Sequence, residues 1–362
     1  MSRGHGADAS RPLRLFVLKY FDTGASRDRS GRWQLPYALD SIAEAGVSLR
    51  TSDADFRPPW TSRRVRRAVR RLEQAGAPFL PTVLGTREIA RADAVLALFE
   101  SQGFVLGLLR ALHLPPYTRP RYCIVSCWLA MEAPTFGRFR LAAYRFAYRG
   151  VDRLVYFSRN QTDTYRFTLA LPEERLAFVP FGVDHERFAP IGSEEDGTVL
   201  AVGRDRGRDW ATLFDAVRDT ELRVRLACRP EDIAGLRVPG NVERLGLIDG
   251  DKYRELTARA SVVVVPTEIR AYPTGQSVTL ESMSMGKCCV VTDTPAMSDY
   301  LVDDENALLV APHDALALRA TLERATADHA LRARIGRNAR RSVVEHHTAE
   351  QMWRTIGQLL RA

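Results

Sequence analysis

The chain has 362 residues, of which 45% are hydrophobic and 27% are charged, and its formal net charge is +8 at pH 7. This composition is typical of a folded globular protein with room for two domains. No stretch reaches the roughly 18 apolar residues that a membrane-spanning helix needs. The polar start of the chain and the short apolar run Leu13–Leu18, which Lys19 ends, do not resemble a signal peptide, so we expect a cytoplasmic protein.

Short apolar runs rich in β-branched residues alternate with longer helical patterns along the chain. The first series of predicted strands is Arg14–Leu18, Val47–Thr51, Ala94–Leu98, Tyr122–Ser126, Arg153–Phe157 and Leu176–Val179. The second series is Thr198–Val202, Arg223–Ala227, Val242–Leu245, Ser261–Val265, Cys288–Val291 and Ala307–Val310. Alternating strands and helices indicate parallel sheets with crossover helices, so the sequence predicts an α/β protein of two doubly wound domains.

The helices follow from the same pattern. Those predicted between the first strands are Leu35–Ala45, Ser62–Ala75, Gly103–Leu112, Arg138–Arg149 and Arg159–Leu169. Those predicted in the second series are Asp209–Val217, Asp251–Ala260, Ser277–Met285, Ala315–Ala325 and Leu331–Glu345. A last pattern, Ala349–Leu360, follows Thr348, a residue type suited to cap a helix.

The boundary between the domains is predicted at residues 182–197, where periodicity is lost and turn-forming and acidic residues collect. We therefore expect an N-terminal domain at 1–181, a hinge at 182–197 and a C-terminal domain at 198–345. Residues 346–362 are expected to form a helix that can cross back to the N-terminal domain. Open parallel sheets bind ligands beyond the carboxyl ends of their strands, so two sheets facing across a cleft would hold the substrate there.

The positive charge is nearly all arginine, since the chain has only three lysines. Six arginines lie between Arg63 and Arg71. They are interpreted either as the solvated face of a helix or as a peripheral contact with the anionic inner face of a membrane. The remaining charge is dispersed without interleaved aromatic residues, so no nucleic-acid partner is expected.

The five cysteines form no disulfide framework and lack the spacing of a zinc site. Their odd number favours a reducing compartment. No other cluster of ligand-type residues is visible in the sequence, so we expect neither a metal site nor a bound cofactor.

The most informative segment runs from Pro266 to Glu281, between the predicted strand Ser261–Val265 and a helix for which Ser277 is the predicted cap. A helix N-terminus attracts phosphate oxygens, and Gly275 allows the backbone to approach them closely. Glu281 has two interpretations. Its carboxylate can accept hydrogen bonds from a ribose diol, or it can simply complement the helix dipole.

A second segment, Val202 to Trp210, also lies between a strand and a helix. Gly203 permits a tight turn, Arg204 and Arg208 project from the turn, and Asp209 is a suitable cap for the helix that follows. Two guanidinium groups at the end of a strand suit a diphosphate, because arginine binds phosphate in bidentate fashion. The alternative is a solvated, charged turn.

Taken together, these segments resemble the retaining, family-4-type glycosyltransferases of the GT-B fold, the glycosyl transferases group 1. The order of the motifs carries the resemblance. They are Ser158-Arg159-Asn160-Gln161, Val179 to Phe188, Val202-Gly203-Arg204, Arg208-Asp209, Glu281-Ser282-Met283-Ser284-Met285-Gly286-Lys287 and Val290 to Thr294. The resemblance covers most of the chain and is weakest in the N-terminal third.

The resemblance implies roles for individual residues. Arg204 and Arg208 would neutralise the diphosphate of a nucleotide-sugar donor as it leaves, and Gln276 and Ser277 would offer backbone N–H groups to the same phosphates. Glu281 would hold the ribose hydroxyls. Leu247 and Ile248, together with the flanking Gly246, would contact the base. The resemblance also implies that the N-terminal domain binds the acceptor and that no metal is required.

The sequence departs from the family at three places. Pro273 occupies the position of the first Glu in the family's Glu-x7-Glu motif, and Glu268 or Arg270 is the candidate replacement near the donor sugar. The N-terminal Gly-Gly loop is absent, with Ser30, Gly31 and Arg32 as its nearest substitute. Trp128 lies where many relatives have a histidine.

The activity expected from the resemblance is retaining transfer of a sugar from a nucleotide-diphosphate sugar to an acceptor hydroxyl, with a UDP-sugar favoured and a GDP-sugar next. A polysaccharide, a lipid-linked sugar and a small natural product all remain open as acceptor. A nucleotide-sugar epimerase or phosphorylase on the same fold, or an inactive nucleotide-sugar-binding protein, are the alternatives.

Overall fold

The computed structural model describes residues 12–18, 26–27, 33–34, 39, 41–43, 46–51, 82–83, 85–205 and 207–361. The chain forms two compact units. Unit 1 comprises Met1–Tyr156, Thr162–Val179 and Trp353–Ala362, and unit 2 comprises Phe157–Gln161 and Pro180–Met352. The segment predicted as a hinge, 182–197, thus lies within unit 2.

Unit 1 is built on a six-stranded parallel sheet. Its strands are β1 (Leu13–Leu18), β4 (Val47–Thr51), β5 (Ala94–Leu98), β6 (Arg121–Val125), β7 (Arg153–Tyr156) and β8 (Leu176–Phe178), in the spatial order β4-β1-β5-β6-β7-β8. A separate antiparallel pair is formed by β2 (Ser26–Arg27) and β3 (Trp33–Gln34). Every residue of β5 is buried, as expected for a central strand covered on both faces.

Four helices are described in unit 1 before its last segment: α1 (Thr86–Arg91), α2 (Glu100–Ala111), α3 (Leu129–Glu132) and α4 (Arg138–Tyr148). α2 and α4 pack against each other, and Phe104 lies 4.7 Å from Tyr144 between ring centroids. Gly107 allows this close approach, because a β-carbon there would lie 2.7 Å from the carbonyl oxygen of Ala147. α1 and α3 are short and were not predicted.

Unit 2 contains a second parallel sheet. Its strands are β9 (Thr198–Val202), β10 (Arg223–Ala227), β11 (Val242–Arg244), β12 (Val262–Val265), β13 (Cys288–Thr292) and β14 (Leu308–Val310), in the spatial order β11-β10-β9-β12-β13-β14. This is the 3-2-1-4-5-6 order of the doubly wound dinucleotide-binding fold. The order reverses between β9 and β12, and a ligand is expected beyond the carboxyl ends of these two strands.

The helices of unit 2 are α5 (Trp210–Val217), α6 (Gly250–Arg259), α7 (Gln276–Ser284), α8 (Ala315–Ala327) and α9 (His329–His346). A last helix, α10 (Ala349–Arg361), begins in unit 2 and ends in unit 1. The predicted cap Asp209 is confirmed, because its Oδ1 accepts a 3.0 Å hydrogen bond from the Thr212 N–H. Thr348 also caps as predicted and accepts from the Gln351 N–H at 3.2 Å.

One predicted helix, Arg159–Leu169, is helical over residues 159–168 but irregular. Arg159–Leu169 does not form a single α-helix but two short helical turns, Arg159–Gln161 and Thr164–Thr168. The first turn has one helical hydrogen bond, from the Gln161 N–H to the Ser158 carbonyl at 3.0 Å, and is also held by tertiary contacts. The Arg159 N–H donates to the Asp299 carboxylate at 2.8 Å, and the side-chain amide of Asn160 donates to the Ala271 carbonyl at 3.1 Å. These partners lie more than 100 residues away, so local periodicity could not show them.

The five cysteines form no disulfide bond in the structure, in keeping with the lack of a disulfide framework in the sequence, and four of them are buried. Burial raises the pKa of the Cys123 and Cys288 thiols to about 12, so both remain protonated and pack as small apolar side chains. Within the described ranges, no helix is both long and apolar enough to cross a bilayer.

Three predictions lie outside the described residues: the arginine cluster at Arg63–Arg71 with its helix Ser62–Ala75, the loop Ser30-Gly31-Arg32, and most of the helix Leu35–Ala45.

Candidate functional site

The candidate site is the edge of the unit 2 sheet where β9 and β12 end. The loop after β9 runs from Gly203 to Asp209, and the loop after β12 runs from Pro266 to Gly275. The two loops are joined by backbone hydrogen bonds, from the Asp209 N–H to the Pro266 carbonyl at 3.1 Å and from the Glu268 N–H to the Gly207 carbonyl at 2.8 Å. The sequence therefore brings its two most informative segments into one local structure.

Arg208 lies at the centre of this structure. Its side chain is only 3% exposed and occupies a slot between two glycines. A β-carbon at Gly203 would lie 2.2 Å from Arg208 Nε, and one at Gly275 would lie 2.7 Å from Nη1. Only glycine at both positions leaves room for the guanidinium group. Arg204, which the sequence paired with Arg208, lies two residues after the end of β9 and is exposed.

The guanidinium group of Arg208 has unused hydrogen-bonding capacity. Its Nε lies 2.7 Å from Asp205 Oδ1, but without hydrogen-bond geometry, and both Nε and Nη1 lack an acceptor among the described residues. A buried guanidinium group carries a full positive charge, and each of its N–H groups that lacks an acceptor is energetically unfavourable. The site can thus receive an anionic group with several oxygen atoms, as a phosphate provides.

The N-terminus of α7 is adjacent. Gly275, and not the predicted Ser277, is the residue that precedes the helix, and its φ of 78° lies in the left-handed region that glycine adopts without strain. Ser277 is the second helical residue. Gln276 is buried at the first position. The backbone N–H groups of this first turn, together with the guanidinium group of Arg208, create a positive potential at one point.

Glu281 is the sixth residue of α7 and remains only partly exposed. Burial raises the pKa of its carboxyl to about 8, although a hydrogen bond from Tyr253 and the positive charge of Arg187 both act to lower it. The group therefore changes charge close to neutral pH. A diol that donates to this carboxylate would favour the ionised form.

Leu247 and Ile248 follow β11 on the same side of unit 2. Leu247 is 58% exposed, whereas Ile248 packs against the buried cluster of Phe188, Tyr253 and Met285. An exposed leucine beside an anchored isoleucine offers apolar surface to a planar ring.

Three ligand-type side chains come together at the end of the loop Gly203–Asp209: Asp209, Glu268 and His313, whose ligand atoms all lie within 4.8 Å of one another. His313 Nδ1 lies 3.0 Å from Asp209 Oδ2, and Nε2 lies 3.4 Å from Glu268 Oε2. His313 has a φ of 58°. The sequence identified Glu268 but neither this partner nor the cluster, because His313 lies 45 residues further along the chain and follows a different strand, β14.

In unit 1, Trp128 follows β6 and stacks on Phe99, with centroids 5.4 Å apart and planes 16° from parallel. Phe99 has a φ of 76°, a strained conformation for an aromatic residue. The buried carboxylate of Glu100 fixes this turn by accepting the N–H groups of Trp128 at 2.6 Å and Leu129 at 2.8 Å. The sequence selected Trp128 but gave no signal for Phe99 or Glu100.

Residues 198–328 match the family Glycosyl transferases group 1. A comparison with curated protein sequences yields no match. Among solved structures, the chain is similar to sucrose-phosphate synthase from Thermosynechococcus elongatus, with 18% identity and a TM-score of 0.73 over 96% of this chain and 98% of that one. It is also similar to HepE from Anabaena in complex with UDP and glucose, with 15% identity and a TM-score of 0.66 over 96% and 99%.

A glycosyltransferase from Rickettsia africae is similar at 12% identity, with a TM-score of 0.63 over 97% of this chain and 98% of that chain. The two parallel sheets with flanking helices, together with these likenesses, define a two-domain α/β protein of the GT-B fold. The match over residues 198–328 identifies a glycosyltransferase domain of the glycosyl transferases group 1 family in its unit 2.

Proposed function

We propose that the chain transfers a sugar from a nucleotide-diphosphate sugar to an acceptor hydroxyl with retention of configuration, and that a UDP-sugar is the preferred donor. The observation that carries the proposal is the buried guanidinium group of Arg208, which lies without an acceptor beside the N-terminus of α7. A diphosphate supplies hydrogen-bond acceptors for the two Arg208 nitrogens that have none, Nε and Nη1. HepE, one of the similar structures, is in complex with UDP and glucose, which supports the choice of donor.

Each donor group has a candidate partner on unit 2. The diphosphate lies against Arg204, Arg208 and the first turn of α7. The ribose diol donates to Glu281, and the base contacts Leu247 and Ile248. Glu268, held to the Gly207 carbonyl through its own N–H, is the proposed contact for the donor sugar.

The reaction breaks the bond between the anomeric carbon and the diphosphate oxygen and forms a bond from that carbon to the acceptor oxygen on the same face. The leaving phosphate oxygen takes the proton of the acceptor hydroxyl, so no protein base is needed. Negative charge grows on the diphosphate as the bond breaks. Arg204 and Arg208 therefore stabilise the transition state more than the bound donor.

The proposed mechanism uses no metal ion. Asp209, Glu268 and His313 form the group with suitable ligand atoms. However, Asp209 is already committed as the cap of α5, since Oδ1 accepts from the Thr212 N–H and Oδ2 from the Thr212 hydroxyl at 2.6 Å. The imidazole directs one nitrogen to each carboxylate. This arrangement suits a hydrogen-bonded network that orients Glu268.

Turnover of a UDP-sugar, measured with Arg204→Ala and Arg208→Ala, tests the proposal. Each loss of a charged contact should lower kcat by on the order of 10²-fold. Arg337→Ala on α9, an exposed arginine away from the site, is the matched control and should leave kcat unchanged. Normal turnover with only weaker donor binding in the first two variants would instead support a protein that binds a nucleotide sugar without transferring it.

A chelator separates the metal-free mechanism from the alternative. Turnover should survive EDTA, and His313→Asn should lower kcat for the full donor while UDP binding stays unchanged. Loss of turnover in EDTA with recovery on adding Mg²⁺ or Mn²⁺ would assign the three-residue group to a catalytic ion.

A further inference from the structure

The outward face of α4 in unit 1 combines arginine with exposed aromatic side chains. At helical spacing this face carries Arg138, Phe139, Ala142, Arg145, Phe146 and Arg149. The opposite face, with Tyr144, Ala147 and Tyr148, packs towards α2 and the core. An ordinary amphipathic helix exposes a polar face to solvent, whereas the solvent-facing side of α4 is both basic and partly apolar.

The neighbouring turn Thr164–Thr168 extends this surface. Arg145 Nε donates to the Thr168 carbonyl at 2.8 Å, and this bond brings the turn beside the helix. Phe167 on the turn is 68% exposed, and Phe139 on the helix is 77% exposed. A phenylalanine exposed to this extent loses the hydrophobic stabilisation that burial would give. We call the set Phe139, Phe167, Arg138, Arg145 and Arg149 the α4 surface.

The charge of the α4 surface is not balanced by neighbouring carboxylates. Within the part of the chain that the structure describes, Arg138, Arg145 and Arg149 take part in no ion pair. Two other arginines nearby are paired, Arg140 with Glu132 at 3.9 Å and Arg166 with Glu173 at 3.3 Å. The guanidinium groups of Arg138 and Arg149 instead lie over aromatic rings, 4.6 Å from that of Phe139 and 6.0 Å from that of Phe146. Their cations are thus held beside the apolar side chains.

We propose that the α4 surface docks the enzyme on an anionic lipid bilayer. Arginine heads pair with lipid phosphates at the level of the head groups, and Phe139 and Phe167 insert into the boundary with the acyl chains. The shallow groove lined by Leu141, Ala142 and Phe146 between the arginines adds apolar surface at the same depth. The phosphates of a nucleic acid could pair with the same arginines. Such contacts would leave Phe139 and Phe167 exposed to water, whereas a bilayer buries both.

The full-length protein tests the proposal in flotation assays with vesicles of phosphatidylcholine, with or without phosphatidylglycerol. The protein should float with the anionic vesicles only and be released by salt. Phe139→Ser with Phe167→Ser should weaken binding by at least about tenfold. Arg138→Ser with Arg149→Ser should weaken it by about twenty-fivefold, or about fivefold for each arginine.

Matched controls keep the test specific. Leu316→Ser removes an apolar side chain that is 78% exposed on α8, and Arg337→Ser with Arg341→Ser removes two exposed arginines from α9. Both controls should bind as the wild type does. If they lose binding equally, the attraction is a general effect of net charge and the proposal is wrong. All variants must keep the wild-type melting temperature.

A second measurement does not depend on loss of binding. Phe139→Trp places a fluorophore on the α4 surface, and brominated lipids should quench its emission more than that of the wild type. The absence of added quenching would overturn the proposal. So would failure to bind vesicles combined with binding of a single-stranded oligonucleotide through the same arginines.

Discussion

The carboxylate of Asp205 accepts a hydrogen bond from the backbone N–H of Gly275 at 3.2 Å. Its other oxygen lies 2.7 Å from Arg208 Nε. An acid of the protein itself therefore lies beside the two groups proposed to bind the donor diphosphate. A phosphate that enters the site must compete with this carboxylate.

We expect Asp205→Asn to bind UDP more tightly than the wild type, because it removes a negative charge a few Å from the phosphates. A repulsion of about 1 kcal/mol corresponds to roughly a fivefold change in Kd, which titration calorimetry can measure. Asp215→Asn, on the exposed side of α5, should leave Kd unchanged. Weaker binding by Asp205→Asn would show that the acid holds Arg208 in place and does not compete with the donor.

A second prediction concerns Gly275. In Gly275→Ala the new β-carbon would lie 2.6 Å from Val265 Cγ1 and 2.7 Å from Arg208 Nη1, with φ at 78°. Both the melting temperature and UDP affinity should fall. Gly235→Ala is a control, because Gly235 has a φ of 83° but open space around it. This variant should lose only the free energy of the backbone strain, about 1–2 kcal/mol. Gly192→Ala has neither problem. A loss of UDP affinity in all three variants would remove the argument that Gly275 makes room for Arg208.

The third prediction uses the raised pKa of Glu281, which lies at about 8. Only the ionised carboxylate accepts hydrogen bonds from both hydroxyls of the ribose, so UDP affinity should rise as pH rises through this value. Between pH 7 and pH 9 the ionised fraction, and with it the affinity, increases about tenfold. Glu281→Gln should bind UDP more weakly and show no such rise. A 2′,3′-dideoxy analogue of UDP should lose the pH dependence even with the wild type.

The fourth prediction concerns stability in acid. His347 is buried, and burial lowers its pKa to about 4, so the fold requires the neutral ring. In the unfolded chain the imidazole of His347 binds a proton near pH 6.5. Its contribution to the free energy of unfolding is therefore complete above that pH and is lost as pH falls towards 4. At pH 5 this amounts to about 2 kcal/mol relative to pH 8.

Urea unfolding at both pH values checks the expectation. His347→Gln should show a smaller loss of unfolding free energy between pH 8 and pH 5 than the wild type. His329→Gln, which replaces an exposed histidine at the start of α9, should behave as the wild type does. An equal loss in all three proteins would assign the acid sensitivity to other groups.

The sheets of both units were predictable because buried parallel strands appear as continuous apolar runs, of which Val262–Val265 is the clearest example. The loop Gly203–Asp209 and the segment before α7 were also visible, because glycine and arginine follow a predicted strand in the first and glycine precedes a predicted helix in the second. Two features of the site could not be predicted from the sequence. His313 reaches Glu268 only through the order of the strands in the sheet, and the cap of α7 depends on a left-handed φ that Ser277 would not adopt readily.

The path of the chain between the two units limits the design of fragments. The boundary between them is crossed four times, after residues 156, 161, 179 and 352. No single cut can therefore release either unit intact. A fragment that begins at Gly197 would omit Phe157 and Phe181, whose backbone groups both contact the Tyr300 hydroxyl, and Val183, whose N–H donates to the His347 carbonyl at 2.9 Å. A protease that nicks an exposed loop should leave the two pieces associated under native conditions and separable only after denaturation.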